Sequence, residues 1–309
     1  MNQTTLVTIA YELDFRMLIL QAISIYRNFN HLDIHEYIII NNGNNTENKI
    51  LEKYFKRIFS DTFFEKIKVI HSKDILSNDE YSNCSGQRSQ QILKLRASKF
   101  VNTTNYIILD AKNFFIRKSN IRLFVGNEKY LTTFSTNISE YWTPYINNSF
   151  LELNVETNNF DIYKDRKMPT ITPYVMDTKS VRSLVSILET SYNGNIAKIF
   201  EKYHGKVTEF FLYFAYLKKT NQVDRLYENS KSICTTFFAQ SPSEYSLIDK
   251  NMKDIAGNEN IHLIGLHKSR LPQLSQEHLY LLQNVLSKSL LYPWEDLKWF
   301  LDWNNQHII

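Results

Sequence analysis

The chain has 309 residues, enough to bury a substantial core, and its 43% hydrophobic and 22% charged content is that of a globular protein and excludes intrinsic disorder. A formal net charge of +4 without any dense Lys/Arg run suits a local anion site and gives no support to nucleic-acid binding. The two cysteines, Cys84 and Cys234, show neither CxxC nor zinc-type spacing and read as free thiols of a reducing compartment.

The first ten residues lack a basic stretch followed by a long apolar core, and no apolar run reaches membrane-spanning length. The expected location is therefore the cytoplasm, with the inner membrane face as a further option. Leu6-Val7-Thr8-Ile9-Ala10 reads as a first buried strand, and residues 17–29 carry Leu18, Ala22, Ile25 and Phe29 at helical spacing. Residues 36–41 form a second buried strand, closed by the turn-forming Asn41-Asn42-Gly43-Asn44-Asn45. A helix over 48–59, a strand over 67–70 and a helix over 87–100 follow. The fourth strand, 105–109, ends at Asp110. This alternation predicts an α/β fold with a mostly parallel sheet and helices on both faces. A further strand is expected over 130–135.

Between 141 and 173 no period lasts, and Asn, Pro and aromatic residues dominate. That composition predicts long functional loops. Helices over 179–190 and 208–219, a strand over 261–266 and a helix over 276–291 complete the pattern. The tail contains Trp294, Trp299 and Trp303; it suits core packing or an oligomer contact better than a membrane surface, because Glu295, Asp296 and Asp302 lie among the rings. There is no repeat or linker. The expected organisation is one domain over 1–309, with a nucleotide-binding half (1–135), an acceptor and catalytic half (136–275) and a helical tail (276–309).

Four places carry chemistry. Asp110 stands where an apolar strand delivers its end to the ligand crevice of an α/β sheet, although a turn-capping Asp reads the same way. Lys112, two residues on, is a cation for phosphate oxygens or a solvated loop lysine. Gln87, Gln91 and Lys94 share one helix face, with Arg88 beside them; polar residues early in a helix that enters a crevice can hold a base or a phosphate. Thr208 is an N-cap candidate that puts Glu209 in the first helical turn. There an acid suits the helix field and is a candidate general base. His267, Lys268 and Arg270 follow the late strand as a compact anion site. No GxSxG, Walker, GxGxxG or HExxH motif is present, and with 7 glycines a glycine-rich phosphate loop is not expected.

In their order, Leu6-Val7-Thr8-Ile9-Ala10, Gln91-Ile92-Leu93-Lys94-Leu95, Leu109-Asp110-Ala111-Lys112-Asn113, Thr208-Glu209-Phe210 with Leu212-Tyr213, and Gly265-Leu266-His267 resemble bacterial glycosyltransferase-like proteins of GT-A-type fold from capsule and surface-polysaccharide synthesis. The resemblance spans roughly residues 5–270. It implies transfer of a sugar from a nucleotide-sugar donor to a saccharide or lipid-linked acceptor, with peripheral membrane association as an option and no nucleic-acid partner. It places Asp110 at the first position of the Asp-x-Asp motif that normally helps hold a divalent metal on the diphosphate; Lys112 replaces the second acid. Two arrangements follow. Asp110 and His267 hold Mn²⁺ or Mg²⁺, or Lys112 supplies the charge of the cation, and hard cations' preference for oxygen ligands favours the second. Glu209 matches the catalytic base of inverting members, and Gln87, Arg88, Gln91, Lys94, Lys112, His267, Lys268 and Arg270 are the expected donor and diphosphate contacts. Two other readings stay open: a non-catalytic sugar-binding protein on a degenerate transferase fold, and a sugar-phosphate nucleotidyltransferase, which the missing N-terminal glycine-rich loop disfavours.

Overall fold

The computed structural model describes residues 3–43, 48–84, 86–137, 139–156 and 160–302. Asn44, Asn45 and Trp303, named above, lie outside the described residues, as do residues 157–159 of the predicted 141–173 loops. The strands are β1 (Thr4–Ala10), β2 (Ile34–Asn41), β3 (Ile67–His71), β4 (Asn105–Asp110), β5 (Asn113–Phe115), β6 (Tyr130–Thr132), β7 (Tyr174–Asp177), β8 (Tyr227–Asn229), β9 (Cys234–Phe237) and β10 (Leu263–Leu266).

The main sheet runs β3-β2-β1-β4-β7, parallel except for β7, which pairs antiparallel with β4. Its central strands are largely apolar because both faces are covered; all of β1 is buried, its threonines included. The two-residue period still sorts their side chains. Leu6, Ile39, Ile107 and Leu109 join a core under the helix Phe15–Asn28, while Val7, Ile9, Ile38, Ile40 and Ile108 join one under the helices Gly86–Arg96, Thr178–Ser191 and Glu209–Lys219. The predicted mixed α/β architecture, a mostly parallel sheet flanked by helices, is the one observed.

Two further sheets hang on this frame. β10 pairs antiparallel with β5 and parallel with β9, and β6 pairs with β8. Since β5 follows β4 after only Ala111 and Lys112, the pairing of β10 with β5 carries the end of β10 to the end of β4.

Several expected elements differ. The predicted loop region 141–173 contains a helix, Thr143–Glu152, with Pro144 in its first turn, where a missing N–H costs nothing. The helix expected to reach Phe100 ends at Arg96 and tightens into a 3₁₀ turn, Ala97–Lys99. The strand expected over 130–135 stops at Thr132, and the one over 261–266 begins at Leu263. The tail helix Leu297–Leu301 is anchored inward: Leu297 and Phe300 are buried in the core of the helix Phe15–Asn28, and the Trp299 ring lies 4.5 Å from the Arg16 guanidinium. Trp294 is exposed. Among the described residues no helix is long and apolar enough to cross a membrane.

Candidate active site

Strand order reverses between β1 and β4, because β2 follows on one side and β7 on the other. Connections therefore leave the carboxyl ends of these two strands in opposite directions and open a crevice between them. A cleft of about 910 Å³ lies there, with Ile9, Tyr11, Asp110, Ala111 and Lys112 on its floor. Asp110 sits at the last register position of β4, opposite Ile9.

The turn that presents Asp110 is held from behind. Asn113 Oδ1 accepts from the Asp110 N–H at 2.8 Å. The buried Gln21 amide donates to the carbonyls of Asp110 at 2.5 Å and Asn113 at 3.1 Å. Its Oε1 accepts from the Thr8 hydroxyl at 2.8 Å and the Tyr37 hydroxyl at 2.7 Å. One side chain thus links β1, β2 and both ends of the β4–β5 turn, with its hydrogen-bonding capacity filled. Gln21 carries no signal in the sequence, since a polar residue in an amphipathic helix gives no sign of facing inward.

Above the turn the charges form a ladder. Lys112 Nζ lies 3.1 Å from Asp110 Oδ2, Lys94 Nζ lies 3.3 Å from Asp110 Oδ1, and Lys94 Nζ lies 3.0 Å from Glu209 Oε1. Burial alone raises a carboxyl pKa, but the two lysines, the hydrogen bond from Lys112 and one from Thr172 together hold Asp110 well below the usual carboxylate range. Burial likewise works against the Lys94 ammonium, and Asp110 and Glu209 outweigh it, holding Lys94 above its ordinary value. Lys94 is 8% exposed and its ammonium also lies 4.9 Å from the Phe210 ring. Glu209 opens the helix Glu209–Lys219, capped by Thr208 Oγ1 on the Phe211 N–H at 3.2 Å. It is 3% exposed.

The second half of the chain closes the cleft. The Leu266 N–H donates to the Lys112 carbonyl at 3.0 Å, which sets His267 and Lys268 on the rim beside Lys112. His267 Nδ1 accepts from the Ser269 hydroxyl at 2.6 Å. Burial, then Lys112, keeps its pKa below the ordinary value, which favours the neutral ring, and Nδ1 also accepts from the Ser269 N–H at 3.3 Å. Lys268 is paired with Asp14 at 3.1 Å and donates to the Leu13 carbonyl at 3.0 Å.

The structure brings Gln87, Arg88, Gln91, Lys94, Asp110, Lys112, Glu209, His267 and Lys268 to one cleft. It does not bring Arg270. That guanidinium is 2% exposed and turned away, donating to the Pro242 carbonyl and to Gln273 Oε1. Its nearness in sequence to His267 reflects a 3₁₀ turn over Lys268–Gln273, and Arg270 pins that turn to the preceding segment. The cleft also has a wall of Tyr141, Trp142 and Tyr145, at the start of the unexpected helix. Their i, i+1, i+4 spacing was the available signal, hidden inside a stretch read as loop.

A divalent cation does not fit this donor set. Mg²⁺ and Mn²⁺ sites want several free oxygen ligands. Here both Asp110 oxygens face ammonium groups, Glu209 is held by Lys94, and Asp14 by Lys268. His267 stands beside Lys112, and its acidic neighbours Asp14 and Asp110 are both already held by lysines. Among the described residues no three His, Cys, Asp or Glu side chains converge.

Comparison with known proteins adds a fold and a family. A family model described as "Family of unknown function (DUF6492)" matches residues 10–246. No curated protein matches the chain. Solved structures that match are GT-A glycosyltransferases. The chain resembles an active-site mutant of LgtC with TM-score 0.54 at 11% identity, over 96% of this chain and 99% of that one. It resembles the galactosyltransferase LgtC in complex with donor and acceptor sugar analogs with TM-score 0.51 at 10% identity, over 98% of this chain and 100% of that one. It also resembles the apo-form glycosyltransferase GlyE of Streptococcus pneumoniae TIGR4 with TM-score 0.50 at 11% identity, over 97% of this chain and 62% of that one. At such identities the likeness shows the GT-A fold.

Proposed function

The chain belongs to the family of unknown function DUF6492, and from that premise we propose that it is a glycosyltransferase whose cleft uses lysine ammonium groups where a divalent cation would otherwise stand. The substrates are a nucleotide-sugar donor and a saccharide or lipid-linked acceptor, in the cytoplasmic surface-polysaccharide chemistry that the sequence resemblance implies. The observation that carries this reading is the ladder Lys112–Asp110–Lys94–Glu209 at the switch point of a GT-A fold.

In this reading Lys112, with Lys268 and the neutral His267 on the same rim, takes the donor diphosphate. Fixed cations there are stronger in the transition state than in the ground state, because charge grows on the leaving oxygen as the C1–O bond breaks. Asp110 orients Lys112 and Lys94. Gln87 and Gln91 contact the nucleoside; Gln91 Oε1 is buried with no hydrogen-bond partner, which suits an acceptor awaiting a donor group. Glu209 has one oxygen on Lys94 and takes the acceptor hydroxyl proton as the new C1–O bond forms on the opposite face, giving inversion.

The same ion pair favours a second reading, a non-catalytic sugar-binding protein, since an acid 3% exposed and bound to an ammonium is a guarded base. One experiment separates them: consumption of UDP-, GDP- and CMP-sugars by wild type and Glu209→Gln, each with EDTA or with Mn²⁺. The transferase reading expects one donor class to be consumed, EDTA to leave the rate unchanged, and Glu209→Gln to lower kcat by roughly 10²–10⁴. Strict Mn²⁺ dependence overturns the ammonium account. Binding of a nucleotide sugar without consumption establishes the second reading.

A further inference from the structure

Resting on the transferase reading, we propose that the acceptor is an anionic glycan, with a sugar ring stacked on Tyr141 and Trp142 and its carboxylate or phosphate held by Arg88. The starting observation is a charge count within the cleft. Its lining has four cations, Arg88, Lys94, Lys112 and Lys268, and three acids, Asp14, Asp110 and Glu209. The acids are all bound by the three lysines. Arg88 is left over, with no acid or hydrogen-bond partner among the described residues.

Arg88 is nevertheless placed. Its guanidinium lies against Gly205, where an added Cβ would come within 2.7 Å of Nη2, and within 5.9 Å of the Phe200 ring. Gly205 has φ +75°, a conformation that suits glycine, so the backbone conformation and the missing side chain together make room for the guanidinium. A positioned, planar, unpaired arginine facing a cleft matches a carboxylate or a phosphate through two parallel N–H···O bonds.

The position separates this anion from the donor diphosphate. Arg88 precedes Lys94 by six residues on the helix Gly86–Arg96, so about 9 Å of helix axis lies between them. The aromatic wall lines the same cleft, with the Trp142 ring 5.9 Å from that of Phe211. Tyr141, Trp142 and Tyr145 have ring centroids 5.0–5.4 Å apart, and the Tyr141 and Tyr145 hydroxyls meet at 3.0 Å. Tyr141 is 63% exposed. One turn beyond Tyr145, Asn148 donates to the Lys206 carbonyl at 2.8 Å, tying this helix to the segment of Gly205. Rings of this kind offer an apolar face to the C–H side of a sugar and a hydroxyl to its edge.

The test is a glycan array bearing neutral, uronate-, sialate- and phosphate-containing oligosaccharides, probed with the full chain as wild type, Arg88→Gln, Arg88→Lys and Trp142→Ala. The expected result is preference for anionic glycans of roughly tenfold or more, lost in Arg88→Gln and partly kept in Arg88→Lys, with Trp142→Ala weakening every glycan bound. Retention on uronates and sialates alone identifies a carboxylate ligand, and retention on phosphorylated glycans alone a phosphate ligand; either supports the subsite. Equal binding of neutral glycans, no binding to any glycan, or unchanged preference in Arg88→Gln overturns it. Thermal shift with UDP, GDP and CMP runs alongside. If Arg88→Gln abolishes nucleotide stabilisation, Arg88 belongs to the donor and the inference fails. If anionic glycans are preferred while no nucleotide stabilises the wild type, the transferase reading fails and the anionic subsite stands.

Discussion

Asp110 is the residue at which burial and pairing oppose each other most directly. Its carboxyl is held below the ordinary range, so the folded state binds its proton less readily than the unfolded chain does. Its contribution to stability is then complete above the unfolded pKa of about 3.9 and is lost as pH falls toward the folded value. Lys94 works with the opposite sign: held above its ordinary value, it contributes fully below about pH 10.4 and loses that contribution as pH rises further. Wild type and Asp110→Asn should therefore differ by on the order of 2 kcal/mol in urea unfolding at pH 7, after allowance for the partial exposure of Asp110. About 1 kcal/mol of that difference should be gone by pH 3. A gap that is the same at both pH values would mean that Asp110 is not paired as described. The sequence singled out Asp110, Lys112, Lys94 and Glu209 individually. It could not show that Lys94 binds both acids, because positions 94, 110 and 209 meet only through the packing of two helices over the sheet edge.

At the level of elements, the site depends on the β4–β5 turn keeping its shape, and the turn depends on a residue from the helix Phe15–Asn28. Replacing Gln21 by Leu preserves size but removes partners from the Thr8 and Tyr37 hydroxyls and from the carbonyls of Asp110 and Asn113. Each buried group left without a partner costs about 1–3 kcal/mol, and local rearrangement recovers part of the sum. Gln21→Leu should thus lower stability by about 3 kcal/mol in urea unfolding; a loss below about 1 kcal/mol would show that the turn holds itself. What could be read in advance follows the same logic of burial. The strands β1, β2 and β4 announce themselves because both faces are covered and their central positions are mostly apolar. By contrast β5, β8 and β9 have three or four residues, too few for a period to register, and all three mix polar and apolar positions. The helix Thr143–Glu152 carries Asn147 and Asn148 in its middle, which read as loop residues until Asn148 is seen bonding the Lys206 carbonyl.

For the molecule as a whole, the consequence is that no single stretch contains the cleft. Its floor comes from the ends of β1 and β4, one wall from Gly86–Arg96 and Glu209–Lys219, another from Thr143–Glu152, and its rim from the residues after β10. The rim reaches the floor through β5, whose pairing with β10 lets the Leu266 N–H bond the Lys112 carbonyl. A donor diphosphate held by Lys112, His267 and Lys268 therefore bridges segments more than 150 positions apart in the chain, and its binding should be felt in both at once. With a nucleoside diphosphate at 100 times its Kd, the bound state gains about 2.7 kcal/mol, so amides that exchange only when the cleft opens should slow by up to about a hundredfold. Hydrogen exchange should show this protection jointly at residues 111–113 and 266–269, with the segment Tyr245–Gly257, which lies off the cleft, unchanged. Protection confined to the first half would leave the residues after β10 without a part in donor binding. The ammonium account would then rest on Lys112 and Lys94 alone, with EDTA-insensitive protection at 111–113 as the observation that still separates it from a metal site.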